Sequence, residues 1–197
     1  MHRGCWILLL GGLLNAPLHA AMQSRPLAWT HQQTQFEGVL VYDDAQKGLP
    51  GLLMVPNWMG VNESAVSKAR QLAQMGYVVL VADVYGVDMR PQDADDASAA
   101  AKSMYADRAL LRSRAGAALD QLIAQVDTGV DSTRLAAAGF CFGGSTVLEL
   151  ARSGRSDLDA VVSFHGGLST TSPAVAGATH SAILVLNGAE DRYVSAE

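Results

Sequence analysis

Five short stretches, "GLLMVP", "YVVLVAD", "RLAAAG", "AVVSF" and "AILVLNG", are apolar along nearly their whole length. A strand with one wet face alternates apolar and polar residues. A strand buried on both faces does not need to. Between these runs lie segments with helical spacing. "NESAVSKARQLAQMG" opens on Asn62 as an N-cap, places Val66, Ala69, Leu72, Ala73 and Met75 at helical intervals, and ends at Gly76. The stretch 97–126 carries Leu110, Leu111, Leu119, Leu122 and Ile123 on one face, and "GSTVLELARSG" reads as a helix stopped by Gly154. An alternating strand, "FEGVLVYDD", precedes them. This succession predicts an α/β fold, a mostly parallel sheet with helices on both faces. Ligands of such sheets bind beyond the carboxyl ends of the strands. That directs attention to 57–60, 83–90, 140–143, His165 and 188–193.

With 197 residues, 49% of them hydrophobic, the chain is long enough for one domain with a substantial core. A net charge of -5 with scattered charges gives no basic footprint, so nucleic acid is not an expected partner. Residues 1–21 differ from the rest. His2 and Arg3 lead into the apolar run Cys5 to Leu14, then Asn15, Pro17 and the small residues Ala20 and Ala21. The layout predicts a signal peptide over 1–21, an uncleaved anchor being the alternative, and a domain over 22–197 that reaches the periplasm or is secreted. With the leader removed, no stable membrane span is expected and Cys141 becomes the only cysteine. A lone thiol in an oxidising compartment is either buried and inert or used.

Cys141 lies in "GFCFGG", just after one apolar run and just before a helix. The Gly139-x-Cys141-x-Gly143 frame is a nucleophile elbow with cysteine in the serine position. A strand-to-helix turn this tight leaves no room for a Cβ on either side. The helix N-terminus behind the sulfur also favours a thiolate. Two other readings compete. A glycine-rich dinucleotide turn would need G-x-G-x-x-G spacing, and Phe140 and Phe142 would crowd its phosphates. The other is a cysteine simply packed in the core.

"PNWMGVNE", "GYVVLVADVYG", "GFCFGG", "SFHGG" and "NGAEDRYV" resemble, in order and spacing, the dienelactone hydrolase family, the cysteine branch of the α/β-hydrolases. The resemblance runs from about Phe36 to Glu197. It implies an α/β-hydrolase fold and a Cys-His-Asp triad, with Cys141 as nucleophile and Asp191 as the acid orienting the histidine. It implies an oxyanion hole from the backbone N–H groups of Trp58 and Phe142. Each such donor is worth about 3 kcal/mol, because it meets charge that appears only in the tetrahedral state. Read without the family, Asp191 is a solvated loop carboxylate.

The sequence departs from the family pattern in three places. The triad histidine of the family lies past the aspartate, after one further strand. Here the sequence stops soon after Asp191, so the domain is expected to be incomplete at its C-terminus, with the last strand and helix missing. His165, after "AVVSF", is expected to line the pocket as a wall residue, with service as the general base the lesser alternative; His180 falls at the wrong end of a strand and His31 in a polar connector. Asn57 stands where well-known members carry a glutamate facing the resting thiol. Val87 stands where members that bind a substrate carboxylate place an arginine. Arg90 is close but shifted, so it and Tyr85 are pocket candidates that could equally be rim residues. The five histidines show no metal-ligand spacing, and no organic cofactor is called for.

The expected activity is hydrolysis of a small ester or lactone through a cysteine acyl-enzyme. The alternative is an inactive fragment or a binding module on the same fold.

Overall fold

The structure is a computed structural model in which residues 22–191 and Val194 are described. The leader expected over residues 1–21 lies outside them. Among the described residues seven strands form one sheet: β1 (Met22–His31), β2 (Thr34–Asp43), β3 (Leu49–Val55), β4 (Val78–Val81), β5 (Val130–Phe140), β6 (Ala160–Phe164) and β7 (Ala182–Leu186). Their order is β1-β2-β4-β3-β5-β6-β7. From β4 to β7 every neighbouring pair is parallel, while β1 and β2 run antiparallel at one edge. This is the mostly parallel sheet that the apolar runs predict.

Four α-helices among the described residues cover it: α1 (Glu63–Gln74), α2 (Ala94–Ala106), α3 (Arg108–Ile123) and α4 (Phe142–Arg152). On one face Ala65, Ala69 and Ala73 of α1 pack on Val41, Leu52, Met54, Val79 and Val81. On the other, α2, α3 and α4 pack over Leu53, Leu80, Ala137 and Val161. Leu111, Leu119 and Leu122 of α3 are fully buried, each contributing roughly 1.5–3 kcal/mol by leaving water.

Two elements differ from the sequence reading. The stretch 97–126 is not one helix. Asp107 leaves helical geometry, ending α2, and its carboxylate accepts the Leu110 N–H at 2.9 Å to cap α3. The apolar spacing continues on both sides, so periodicity alone does not reveal the break. The segment read as a polar connector holds β1, an edge strand with Trp29 as its one buried residue. His31 ends that strand with Nε2 2.7 Å from Ser113 Oγ rather than in solvent.

At the opposite edge all five residues of β7 are exposed, Leu184 by half. Among the described residues no helix is long and apolar enough to cross a membrane.

Candidate active site

β5 runs into α4 through a single residue, Cys141, at φ 55° and ψ −114°. A non-glycine residue with positive φ is strained, and such strain persists only where the surroundings impose it. Here they do. The Cys141 N–H donates to Phe164 O at 2.8 Å, and its carbonyl accepts from Ser145 N–H at 3.1 Å to begin α4. A Cβ on Gly139 would lie 2.0 Å from Gly143 O, and one on Gly143 would lie 2.1 Å from Val55 O. Strand and helix therefore approach as closely as backbones can. Cys141 is half-buried, so its sulfur is not sealed in the core.

The thiol opens on a cavity of about 220 Å³ lined by Tyr105, Arg108, Ser145, His165, Gly167, Ser169 and Val194 besides Cys141 itself. His165 follows β6 as Cys141 follows β5, since Phe140 pairs with Phe164 across the two strands. It too has positive φ, 59°, and its N–H donates to Leu186 O at 2.9 Å. His165 thus lines the cavity, as its place at the sheet edge predicts. It also does something the sequence did not suggest: its Nε2 lies 2.8 Å from Asp191 Oδ2. The approach is close but is not an aligned hydrogen bond. Asp191 also accepts the Val194 N–H at 3.1 Å, so it is not a merely solvated carboxylate.

The residues expected to form the oxyanion hole are held from behind. The Phe142 ring is almost fully buried between Tyr85 and Tyr105, with centroids 5.0 and 5.5 Å away. Its N–H is the first of α4, where no helical carbonyl is available to it. The Tyr85 hydroxyl donates to Trp58 O at 3.1 Å, holding the peptide that follows Trp58, and the Trp58 side chain is partly exposed. Burial pushes the Tyr85 phenol far above its ordinary pKa, with Tyr105 and Cys141 nearby adding to the rise. Tyr105 is also raised, chiefly by burial and against the hydrogen bond it gives Ser145 Oγ at 3.3 Å. Both phenols stay protonated and serve as donors.

Three pocket candidates lie elsewhere. Tyr85 is 1% exposed and stacks on Phe142 instead of standing on a rim. Asn57 accepts the Met59 N–H at 3.1 Å and lines a separate small hollow with Asn62 and Lys68. Arg90 is carried off by the 3-10 turn Val87–Met89. It donates to Glu37 O at 2.7 Å, lies 3.4 Å from Asp83 Oδ2, and lines a different hollow with Asp88 and Asp96.

Sequence reasoning missed Tyr105, Arg108 and Ser145, which come from α2, α3 and α4. The signal available was "DRALLR", in which Arg108 and Arg112 stand four apart on one helix face just after the Asp107 cap. Among the described residues no group of three His, Cys, Asp or Glu side chains could hold a metal ion.

The sequence pattern of the dienelactone hydrolase family matches residues 36–197. A solved structure named m3DLH superposes with a TM-score of 0.81 at 43% identity, over 89% of this chain and 72% of that one. P91, a dienelactone hydrolase-like promiscuous phosphotriesterase from metagenomic libraries, gives 0.80 at 42% identity over the same shares. The dienelactone hydrolase of Anabaena variabilis shares the fold at 21% identity, with a TM-score of 0.55 over 74% of this chain and 64% of that one. No curated protein matches the chain. A family match covering most of the sequence, on an α/β-hydrolase sheet with the thiol at its elbow, places this chain in the dienelactone hydrolase family.

Proposed function

We propose that the protein hydrolyses small esters or lactones through a thioester on Cys141. The observation that carries this is the strained Cys141 at the head of α4, sharing one cavity with a histidine that an aspartate engages. The Cys141 sulfur gives its proton to His165 and attacks the carbonyl carbon. Asp191 engages Nε2, so the proton passes through Nδ1. The carbonyl electron pair moves onto oxygen, where the N–H groups of Phe142 and Trp58 receive it. Collapse expels the alkoxide, which takes the proton from His165 and leaves a thioester. Water then gives a proton to His165 and attacks the thioester. The acid departs, and the sulfur recovers the proton. We also propose export, on the leader-like residues 1–21.

Incubation with 4-nitrophenyl acetate, acid quench and mass spectrometry of the Cys141 peptide tests the proposal. The expected result is an acetyl thioester on Cys141, absent from Cys141→Ala, with the variant's rate falling to that of buffer. Equal rates for the two proteins would remove the thiol from the mechanism and favour a binding module. His165→Gln is expected to lower kcat by about a hundredfold or more. Retention of full activity in it, with loss in Asp191→Asn, would mean that Asp191 serves a different histidine.

A further inference from the structure

Two hydroxyls share the cavity with the thiol and have no part in the thioester mechanism. Ser145 is the fourth residue of α4 and only 4% exposed. Its N–H donates to the Cys141 carbonyl at 3.1 Å, which sets it one helical turn from the nucleophile. Tyr105, near the end of α2, reaches across to it with its phenol oxygen 3.3 Å from Ser145 Oγ. The Tyr105 ring is held by Phe142, 5.5 Å away between centroids, and by the Arg108 guanidinium, 4.5 Å from its centroid. Two hydroxyls carry two hydrogens, and the bond between them uses one. Among the described residues no acceptor takes the other. A buried donor left without an acceptor is costly. Both groups line the cavity, so the pair presents one O–H to whatever occupies it.

Its position relative to the reacting atoms gives that O–H a use. β5 lies between β3 and β6, so the Trp58 loop after β3 and His165 after β6 flank Cys141 from opposite sides. Ser145 is on the His165 side: a Cβ on Gly167, two residues past His165, would lie 3.4 Å from Ser145 Oγ. The alcohol leaves on that side, because His165 supplies its proton. A tetrahedral adduct on cysteine can expel either the thiolate or the alkoxide. The thiolate is the weaker base, so an unassisted adduct returns to the ester. We propose that Ser145, held by Tyr105, is a catalytic residue that donates a hydrogen bond to the departing alkoxide oxygen. The inference rests on the hydrolase reading. Ser145 keeps its proton throughout. As the C–O bond breaks and its electron pair passes to oxygen, the hydrogen bond stabilises the charge that gathers there. The proton that completes the alcohol is still the one His165 carries. Tyr105 acts through Ser145 and is a positioning residue.

The test is the dependence of kcat/KM on the leaving alcohol, measured in the full chain. Acetates of 4-nitrophenol, phenol and trifluoroethanol serve, since these alcohols become weaker acids in that order and need increasing help to leave. Ser145→Ala is expected to lower kcat/KM for all three, and to lower it about tenfold or more further for the trifluoroethyl than for the 4-nitrophenyl ester. Tyr105→Phe should move that ratio the same way by less. Ser145→Thr, which keeps the hydroxyl, should restore it. A packing role alone scales all three rates by one factor. Should Ser145→Ala fail to fold, the ratio in Tyr105→Phe decides, since that change removes one oxygen and leaves the ring packed. If esters are cleaved and the ratio moves by no more than about twofold in the folded variants, the donor role is overturned and the hydrolase reading stands. The same holds if the wild-type protein cleaves the 4-nitrophenyl ester alone. If the wild-type protein cleaves none of the three, the hydrolase reading fails and the donor role falls with it.

Discussion

Gly143→Ala is expected to remove roughly 3–5 kcal/mol of stability and leave less than about a hundredth of the esterase activity. The new Cβ would lie 2.1 Å from Val55 O, 2.4 Å from Pro56 O and 2.6 Å from Val55 C. All three are backbone atoms, and no side chain can rotate to relieve them. Either α4 lifts off the sheet or the end of β3 shifts. Cys141 stands at the head of that helix, and the Trp58 loop follows that strand, so both movements separate the thiol from an oxyanion donor. A displacement of about 1 Å at reacting atoms costs on the order of a hundredfold in rate. Thermal unfolding should fall by roughly 6–20 °C for a domain of this size. Gly116→Ala in α3 is the control. Its added Cβ meets only Arg155 Nη1, at 3.6 Å, and it replaces a glycine inside a helix. That change should be neutral or stabilise by up to about 1 kcal/mol. Equal stability and activity in Gly143→Ala would mean that the elbow is not this tight in solution.

The same glycines explain why the elbow was legible in sequence. A steric requirement this severe fixes residue type at fixed offsets, so Gly139, Cys141 and Gly143 could be read together without knowing what surrounds them. The apolar runs of β3 to β6 were legible for a similar reason, since strands with both faces buried tolerate little polar sequence. β1 was not, because it is an edge strand with Pro26 in its middle and polar residues on both faces. The contact between Asp191 and His165 was not legible either. It depends on parallel register between β6 and β7, which a long irregular loop separates in sequence. Arg108 looked like any charged residue at the start of a helix. Its place in the wall of the Cys141 cavity, beside Tyr105 of α2 and Ser145 of α4, is a property of how those helices meet, and no local pattern records it. Asn57 and Arg90 failed as pocket residues because nearness in sequence to Trp58 and Tyr85 does not fix side-chain direction. Each is held elsewhere, Asn57 by Met59 of its own loop and Arg90 by Glu37 of β2 and by Asp83.

Glu149→Ala should cost about 3–5 kcal/mol, the range for removing one member of a buried ion pair. Glu149 is fully buried in α4, and both of its carboxylate oxygens are taken. Arg112 Nη2 and Nε lie 2.6 and 2.8 Å from Oε2, and Arg152 Nη1 lies 3.0 Å from Oε1. The two arginines reach further, Arg112 donating to Ser172 O and Arg152 to Leu168 O at 2.8 Å. The loop so tethered carries Gly167 and Ser169, which line the Cys141 cavity. Removing the carboxylate leaves two largely buried cations without their common partner, and the loop loses the groups that hold it. Stability and activity should fall together. Replacing all three residues with apolar side chains of similar volume separates the two effects, because a well-packed apolar cluster often matches a buried ion network in stability. The triple variant Arg112→Met, Glu149→Leu, Arg152→Met should recover most of the thermal midpoint that Glu149→Ala loses. Its KM should stay raised, since no donor then reaches the Leu168 and Ser172 carbonyls. A triple variant that recovers both the midpoint and the KM would reduce the network to a device for stability, with no part in shaping the cavity.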